Sequence, residues 1–145
     1  MVKVLVKKLD SSVKLPSYKS KGASGMDLMA FLEKPIHLEP GKSCLISTGL
    51  SVAFPREYEI QIRPRSGLAL KNNISVLNTP GTIDSDYRGE IKVILFNHGS
   101  ENFTINKNDR VAQMVLTPII RMELEETNEL PETIRGEGGF GSTGK

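Results

Sequence analysis

The feature that most constrains this chain is a hydrophobic period of two. In Tyr58-Glu-Ile-Gln-Ile-Arg-Pro-Arg65 the apolar Tyr58, Ile60 and Ile62 alternate with Glu59, Gln61 and Arg63. Successive side chains of a strand point to opposite faces, so the run reads as a strand with one face buried. Val2, Val4 and Val6 alternate in the same way, and residues 45–54, 74–77, 91–96, 103–105 and 111–116 are further short β-rich runs. Turn signals separate them at Glu39-Pro-Gly-Lys42, Thr79-Pro-Gly-Thr82, Asn97-His-Gly-Ser100 and Asn106-Lys-Asn-Asp109. Many short strands at this spacing predict an all-β sandwich, jelly roll or partly closed barrel. One segment is helical in character, Ser66-Gly-Leu-Ala-Leu-Lys71. Ser66 is its expected N-cap, and Asn72-Asn73 is expected to end it after about two turns.

Composition narrows the class. At 145 residues, 25% charged and 38% hydrophobic, the chain reads as one ordinary globular domain. No apolar run approaches the ~18 residues of a membrane span, and the first residues read as a strand rather than a signal peptide. No membrane partner is expected. The single cysteine allows no intrachain disulfide, which fits a reducing, cytoplasmic compartment. A net charge of +2 with interspersed signs gives no reason to expect a nucleic-acid partner. Cys44, His37 and His98 are too few for a closed zinc site, and the His-x-Glu with Pro-Cys-x-x-Cys pattern of zinc-dependent base deaminases is absent. These three residues are read as a buried thiol and loop imidazoles.

Gly136-Glu-Gly-Gly-Phe-Gly141 matches G-x-G-x-x-G, but no helix follows to make it a nucleotide loop. Pro40-Gly-Lys-Ser43 looks like the end of a P-loop, but Ile36 stands where the first glycine belongs. The glycine-rich tail 135–145 is expected to be mobile until held. Its bare amides, with Arg135, Ser142 and Thr143, suit an anion, and Phe140 is free to stack on a planar ring. Ser66 behind Arg63 and Arg65 is a second anion candidate, with both arginines on one face if the strand runs through Pro64. Pro80-Gly81 suits a type II turn, with the flanking residues pairing as a hairpin and Asp84, Asp86 and Tyr87 just beyond. Asp27 stands among small and apolar neighbours, so it needs a partner, an arginine or a hydrated metal. Gln113, a lone amide between apolar residues, reads by itself as solvent-facing. From these pieces alone the chain is a β-rich protein that handles a phosphorylated ligand.

Five segments, in order, resemble the five motifs of the trimeric dUTPase family. They are Ala23-Ser-Gly-Met-Asp-Leu-Met-Ala30, Arg63-Pro-Arg-Ser-Gly-Leu-Ala69, Asn78-Thr-Pro-Gly-Thr-Ile-Asp-Ser-Asp-Tyr-Arg-Gly-Glu90, Asn108-Asp-Arg-Val-Ala-Gln-Met-Val115 and Arg135-Gly-Glu-Gly-Gly-Phe-Gly-Ser-Thr-Gly144. The resemblance implies a distorted jelly-roll-like β-barrel over 1–134, with 135–145 as a flexible active-site tail. It implies a homotrimer whose sites are shared between subunits. It implies hydrolysis of dUTP to dUMP and pyrophosphate, which limits uracil in DNA and supplies dUMP for thymidylate synthesis. Asp84 would activate the water that attacks the α-phosphorus, and Tyr87 would lie beneath the deoxyribose. Asn78 and the backbone after it would read uracil. Arg65, Ser66, Gly67 and Gln113 would bind the phosphate chain, with Asp27 in support. From the tail, Arg135, Ser142 and Thr143 would grip the γ-phosphate, while Phe140 and Gly141 would cover the base. Mg²⁺ would ride on phosphate oxygens and water rather than on protein ligands. The rivals are dCTP deaminase, which needs a glutamate acting at the base, and a non-catalytic trimeric barrel, which Asp84 and the complete tail disfavour.

Overall fold

The computed structural model describes residues 1–139. Among them are eleven strands and one helix: β1 (Leu5–Lys8), β2 (Met26–Met29), β3 (Ile36–Leu38), β4 (Ser43–Ser47), β5 (Leu50–Ala53), β6 (Tyr58–Arg63), α1 (Ser66–Asn72), β7 (Ile74–Val76), β8 (Gly81–Ile83), β9 (Lys92–Asn97), β10 (Phe103–Ile105) and β11 (Arg110–Pro118). Every ladder is antiparallel. β2 pairs with β11, β3 with β10 and β4 with β9, a nested set in which early strands meet late ones in reverse order. A chain wound as one long, rolled-up hairpin has this pairing, which is what makes the fold jelly-roll-like.

The all-β class with one short helix is as the period of two predicts. The ladders do not join into a closed barrel, however. They form four sheets, ordered β1-β5, β3-β10, β2-β11-β6-β8 and β4-β9-β7. On β6 the alternation works as read: Ile60 and Ile62 are buried, and Glu59, Gln61 and Arg63 are half-buried on the other face. The core joins Leu28 of β2, Ile46 of β4, Leu95 of β9 and Ile105 of β10, all fully buried. Each such side chain contributes about 1.5–3 kcal/mol of transfer free energy. The strand expected from Val2 begins later, at Leu5, and all four residues of β1 are exposed.

Two local expectations fail. Gly81 is not among the positive-φ residues, so Pro80-Gly81 makes no type II turn. The chain turns three residues earlier, where the Thr79 amide donates to Val76 O at 3.2 Å, and the Thr79–Pro80 bond is cis. Nor do the flanks pair: β7 joins β9 and β8 joins β6, because long-range partners override the local signal. Ser66 is also not the N-cap. Arg65, extended at φ −93°, caps α1 without a side-chain bond, and Ser66 is the first helical residue. The helix ends as expected, at Asn73 in the left-handed region.

Candidate active site

The four-stranded sheet gathers the expected site residues. β2 carries Asp27, β11 carries Gln113, β6 leads into Arg65 and Ser66, and β8 leads into Asp84 and Tyr87. In register, Gln113 stands opposite Asp27 on one side and opposite Arg63 on the other. Sequence order is thereby scrambled into adjacency.

Asp27 has its predicted partner, and a second. Its Oδ1 accepts from Arg65 Nε at 2.9 Å, and its Oδ2 accepts from Arg110 Nη1 at 3.2 Å. Arg65 Nη1 also donates to Arg110 O at 3.1 Å, so its guanidinium is fixed at both ends. Gln113 does not simply face solvent: it is half-buried, and its Nε2 donates to Pro64 O at 3.0 Å, pinning the bend between β6 and α1. Its Oε1 lies 2.8 Å from where a Cβ on Gly25 would stand, so a side chain at residue 25 would displace the Gln113 amide. Arg63 and Arg65 do not share a face, because β6 stops at Arg63, whose guanidinium turns back to Gln61 Oε1 at 2.6 Å. Ser66 and Gly67 sit exposed at the start of α1.

The second group is the loop after β8. Asn78 is exposed and lies over Gly81, its Nδ2 3.2 Å from the position of a Cβ there. Asp84 O accepts from the Tyr87 amide at 3.1 Å, closing a turn. Arg88 Nη1 donates to Ser85 O at 2.7 Å and to Tyr87 O at 2.9 Å, which ties the same turn from outside. Asp84 is exposed in a cleft of about 200 Å³ with Tyr58, Glu59, Asp86 and Arg121. Tyr87 is 43% exposed, open to a ligand.

Arg135 is exposed; its Nε donates to Gly138 O at 2.7 Å. Phe140, Gly141, Ser142 and Thr143 lie outside the described residues. Among the described residues no hydrogen bond or ion pair joins Asn78, Asp84 or Tyr87 to Asp27, Arg65, Ser66 or Gln113. Distance explains why. β6 and β8 are antiparallel, with Ile60 opposite Ile83 and Ile62 opposite Gly81. Asp84 therefore emerges beside Glu59, whereas Ser66 follows the bend beyond the other end of β6, whose four residue steps from Glu59 to Arg63 span about 13 Å.

Sequence reasoning missed Arg110 and Glu90. An acid in apolar company signalled one partner, an arginine or a hydrated metal, and the structure supplies two arginines. Glu90 Oε1 accepts from the Gly49 amide at 2.8 Å, a contact spanning 41 residues that no local pattern signals. Among the described residues two titrating groups are displaced, both away from the site. Burial pushes the Cys44 thiol up, and the Ser12 hydroxyl and amide hold Asp10 below its usual value.

No group of three or more metal-ligating side chains occurs among the described residues, and both Asp27 oxygens are already engaged by arginines. No helix among the described residues is long and apolar enough to cross a membrane.

The model of the family described as dUTPase matches residues 11–144. The chain is 54% identical over 144 residues to the deoxyuridine 5'-triphosphate nucleotidohydrolase of Alkaliphilus metalliredigens, covering 99% of each. It is 54% identical over 140 residues to the protein of the same name from Clostridium tetani, covering 97% of this chain and 95% of that one. Its fold resembles that of the Staphylococcus bacteriophage 80alpha dUTPase with dUPNHPP, with a TM-score of 0.87, 26% identity and 99% of each chain covered.

Proposed function

This chain belongs to the dUTPase family, and from that premise we propose that it hydrolyses dUTP to dUMP and pyrophosphate. The observation that carries the reading is the family match across nearly the whole chain, together with an exposed carboxylate and an exposed ring on one tight turn. Asp84 takes a proton from a water molecule that attacks the α-phosphorus in line, and pyrophosphate leaves. Tyr87 underlies the deoxyribose and leaves no room for a 2′-hydroxyl. Asn78 and the backbone of 79–81 read the uracil edge, where a wrong base leaves polar groups unpaired. Ser66, Gly67 and Gln113 bind the phosphate chain, and Arg65, oriented by Asp27, adds positive charge. Residues 135–145 act as a separate closing segment on the jelly-roll-like domain 1–134. In it Arg135, Ser142 and Thr143 hold the γ-phosphate, Phe140 stacks on uracil and Gly141 gives close approach.

Mg²⁺ bound to the triphosphate would neutralise phosphate charge and orient it. Asp27, already paired, reaches such an ion only through its water shell. The location is cytoplasmic, in keeping with the single cysteine.

The site is shared by copies of the chain in a homotrimer. Three observations support this. Asp84 and Ser66 lie at opposite ends of β6, farther apart than neighbouring phosphates of one ligand. Beyond Pro118, moreover, Ile120, Met122 and Leu124 are 98%, 81% and 85% exposed and alternate with Arg121, Glu123 and Glu125. That is a strand pattern without a sheet, and such a segment completes itself on another copy. Among the described residues β1 pairs only with β5, and beside it Val4, Val6, Leu15, Tyr18 and Leu116 line an apolar groove of about 380 Å³.

The test is a panel of dUTP, UTP, dTTP and dCTP with Mg²⁺. Pyrophosphate should appear from dUTP alone at high rate, and ammonia released from dCTP would refute the assignment. Deleting 135–145 should leave a folded trimer with much weaker catalysis, and an unfolded product would refute the separate role of the tail.

A further inference from the structure

Tyr87 is held by contacts that none of the assigned motif roles includes. Its ring occupies the space that a side chain at residue 89 would fill: a Cβ on Gly89 would stand 2.5 Å from Tyr87 Cζ and 2.9 Å from Cε2. Its hydroxyl donates to Glu90 O at 3.0 Å. Glu90 is itself anchored. Its side chain is 16% exposed, Oε1 accepts from the Gly49 amide at 2.8 Å, and Oε2 faces Ser47 Oγ at 3.5 Å and Lys92 Nζ at 3.6 Å.

The anchor point is rigid. Gly49 has φ +70°, and a Cβ there would meet Val13 Cγ2 at 2.5 Å and Phe31 at 3.2 Å. The next residue along from Glu90 is pinned to the same turn twice: the Ile91 amide donates to Leu50 O at 2.7 Å, and Thr48 Oγ1 donates to Ile91 O at 2.6 Å. The carbonyl that receives the Tyr87 hydroxyl thus belongs to a residue bound to the core on both its side chain and its chain neighbour.

We infer that Glu90 is a positioning residue that sets the place of the Tyr87 ring and so the discrimination between deoxyribose and ribose. The inference rests on the reading of Tyr87 as the surface beneath the sugar. Excluding one oxygen atom requires that surface to be held within about 0.5 Å, and a ring tethered only at its Cβ does not meet that tolerance. The tether at the hydroxyl, fixed through Glu90 to Gly49, supplies the missing constraint.

The experiment measures kcat and KM for dUTP and for UTP on wild type, Glu90→Ala and Glu90→Gln, each confirmed to have the wild-type oligomeric state. Loss of the anchor in Glu90→Ala should lower the dUTP-over-UTP ratio of kcat/KM about tenfold, the scale of one hydrogen bond. The change should come from a raised KM for dUTP and gained turnover of UTP, with kcat for dUTP within about twofold of wild type. Glu90→Gln keeps an oxygen for the Gly49 amide and should retain the ratio. A wild-type ratio in Glu90→Ala, or an equal loss in Glu90→Gln, overturns the inference. If Glu90→Ala does not fold, Tyr87→Phe removes the same tether from its other end, and an unchanged ratio there overturns it equally. A wild-type enzyme that fails to prefer dUTP would instead count against the proposed function.

Discussion

Asp27 bridges two arginines of very different exposure, which allows its pairings to be ranked before measurement. The Asp27–Arg65 pair is short at 2.9 Å, and its side chains are 19% and 24% exposed. The Asp27–Arg110 pair is longer at 3.2 Å, and Arg110 is 53% exposed. A hydrogen bond between charged, half-buried groups contributes about 1.5–3 kcal/mol, whereas an exposed ion pair contributes about 0–1 kcal/mol. Two double-mutant cycles separate them. Coupling between Asp27→Ala and Arg65→Ala should be about 2 kcal/mol, roughly a thirtyfold factor in the folding constant. Coupling between Asp27→Ala and Arg110→Ala should be about 0.5 kcal/mol. Arg65 keeps its bond to Arg110 O when Asp27 is removed, so the cycle reads the ion pair rather than an abandoned guanidinium. The assay is urea unfolding at one fixed protein concentration, since association adds to apparent stability. Equal couplings, or a larger one to Arg110, would refute the ranking and with it the claim that Asp27 orients Arg65.

Three further outcomes are expected. Asp84→Asn should lose most of its turnover while still binding dUTP, measured by single-turnover kinetics and by equilibrium titration; wild-type kcat would remove Asp84 as the base. Gly49→Ala places a Cβ in the left-handed region and against Val13 and Phe31, so it should destabilise by about 3 kcal/mol and lower Tm by about 8 °C. A thermal scan showing no shift would mean that this turn is not rigid. Met122→Lys, on an 81% exposed side chain, should leave the fold intact yet weaken association, seen as a smaller mass in sedimentation. A trimer of unchanged strength would refute the role given to residues 120–124.

The sequence announced its strands wherever polar and apolar residues alternate, as on β6, and missed them where they do not. Met26-Asp-Leu-Met29 has no alternating pattern, yet it is β2, because β11 pairs with it from more than eighty residues away. Pro80-Gly81 carried a sound turn signal that lost to the pairing of β8 with β6. Ser66 is a good capping residue by type, but the bend at Pro64–Arg65 starts the helix one residue earlier and leaves its hydroxyl no capping bond. The residues of the candidate site were read through motifs that resemble a known family, and one contact followed from chemistry alone, since an acid such as Asp27 needs a partner and finds it in Arg65. The residues alone did not separate Asp84 from Ser66, since strand direction decides it; only the family resemblance, with sites shared between subunits, implied it. The tether from Glu90 to Gly49 was not legible, since it depends on how two turns pack.

The placement of Asp84 and Ser66 at opposite ends of one strand has a genetic consequence. If each site draws these residues from different copies, a defect is not confined to the chain that bears it. Chains lacking the Asp84 carboxylate still offer an intact Ser66, and chains damaged at Ser66 still offer Asp84. Co-assembled in equal amounts, two separately inactive variants should complement each other, regaining about a quarter of the sites by random pairing around a closed ring.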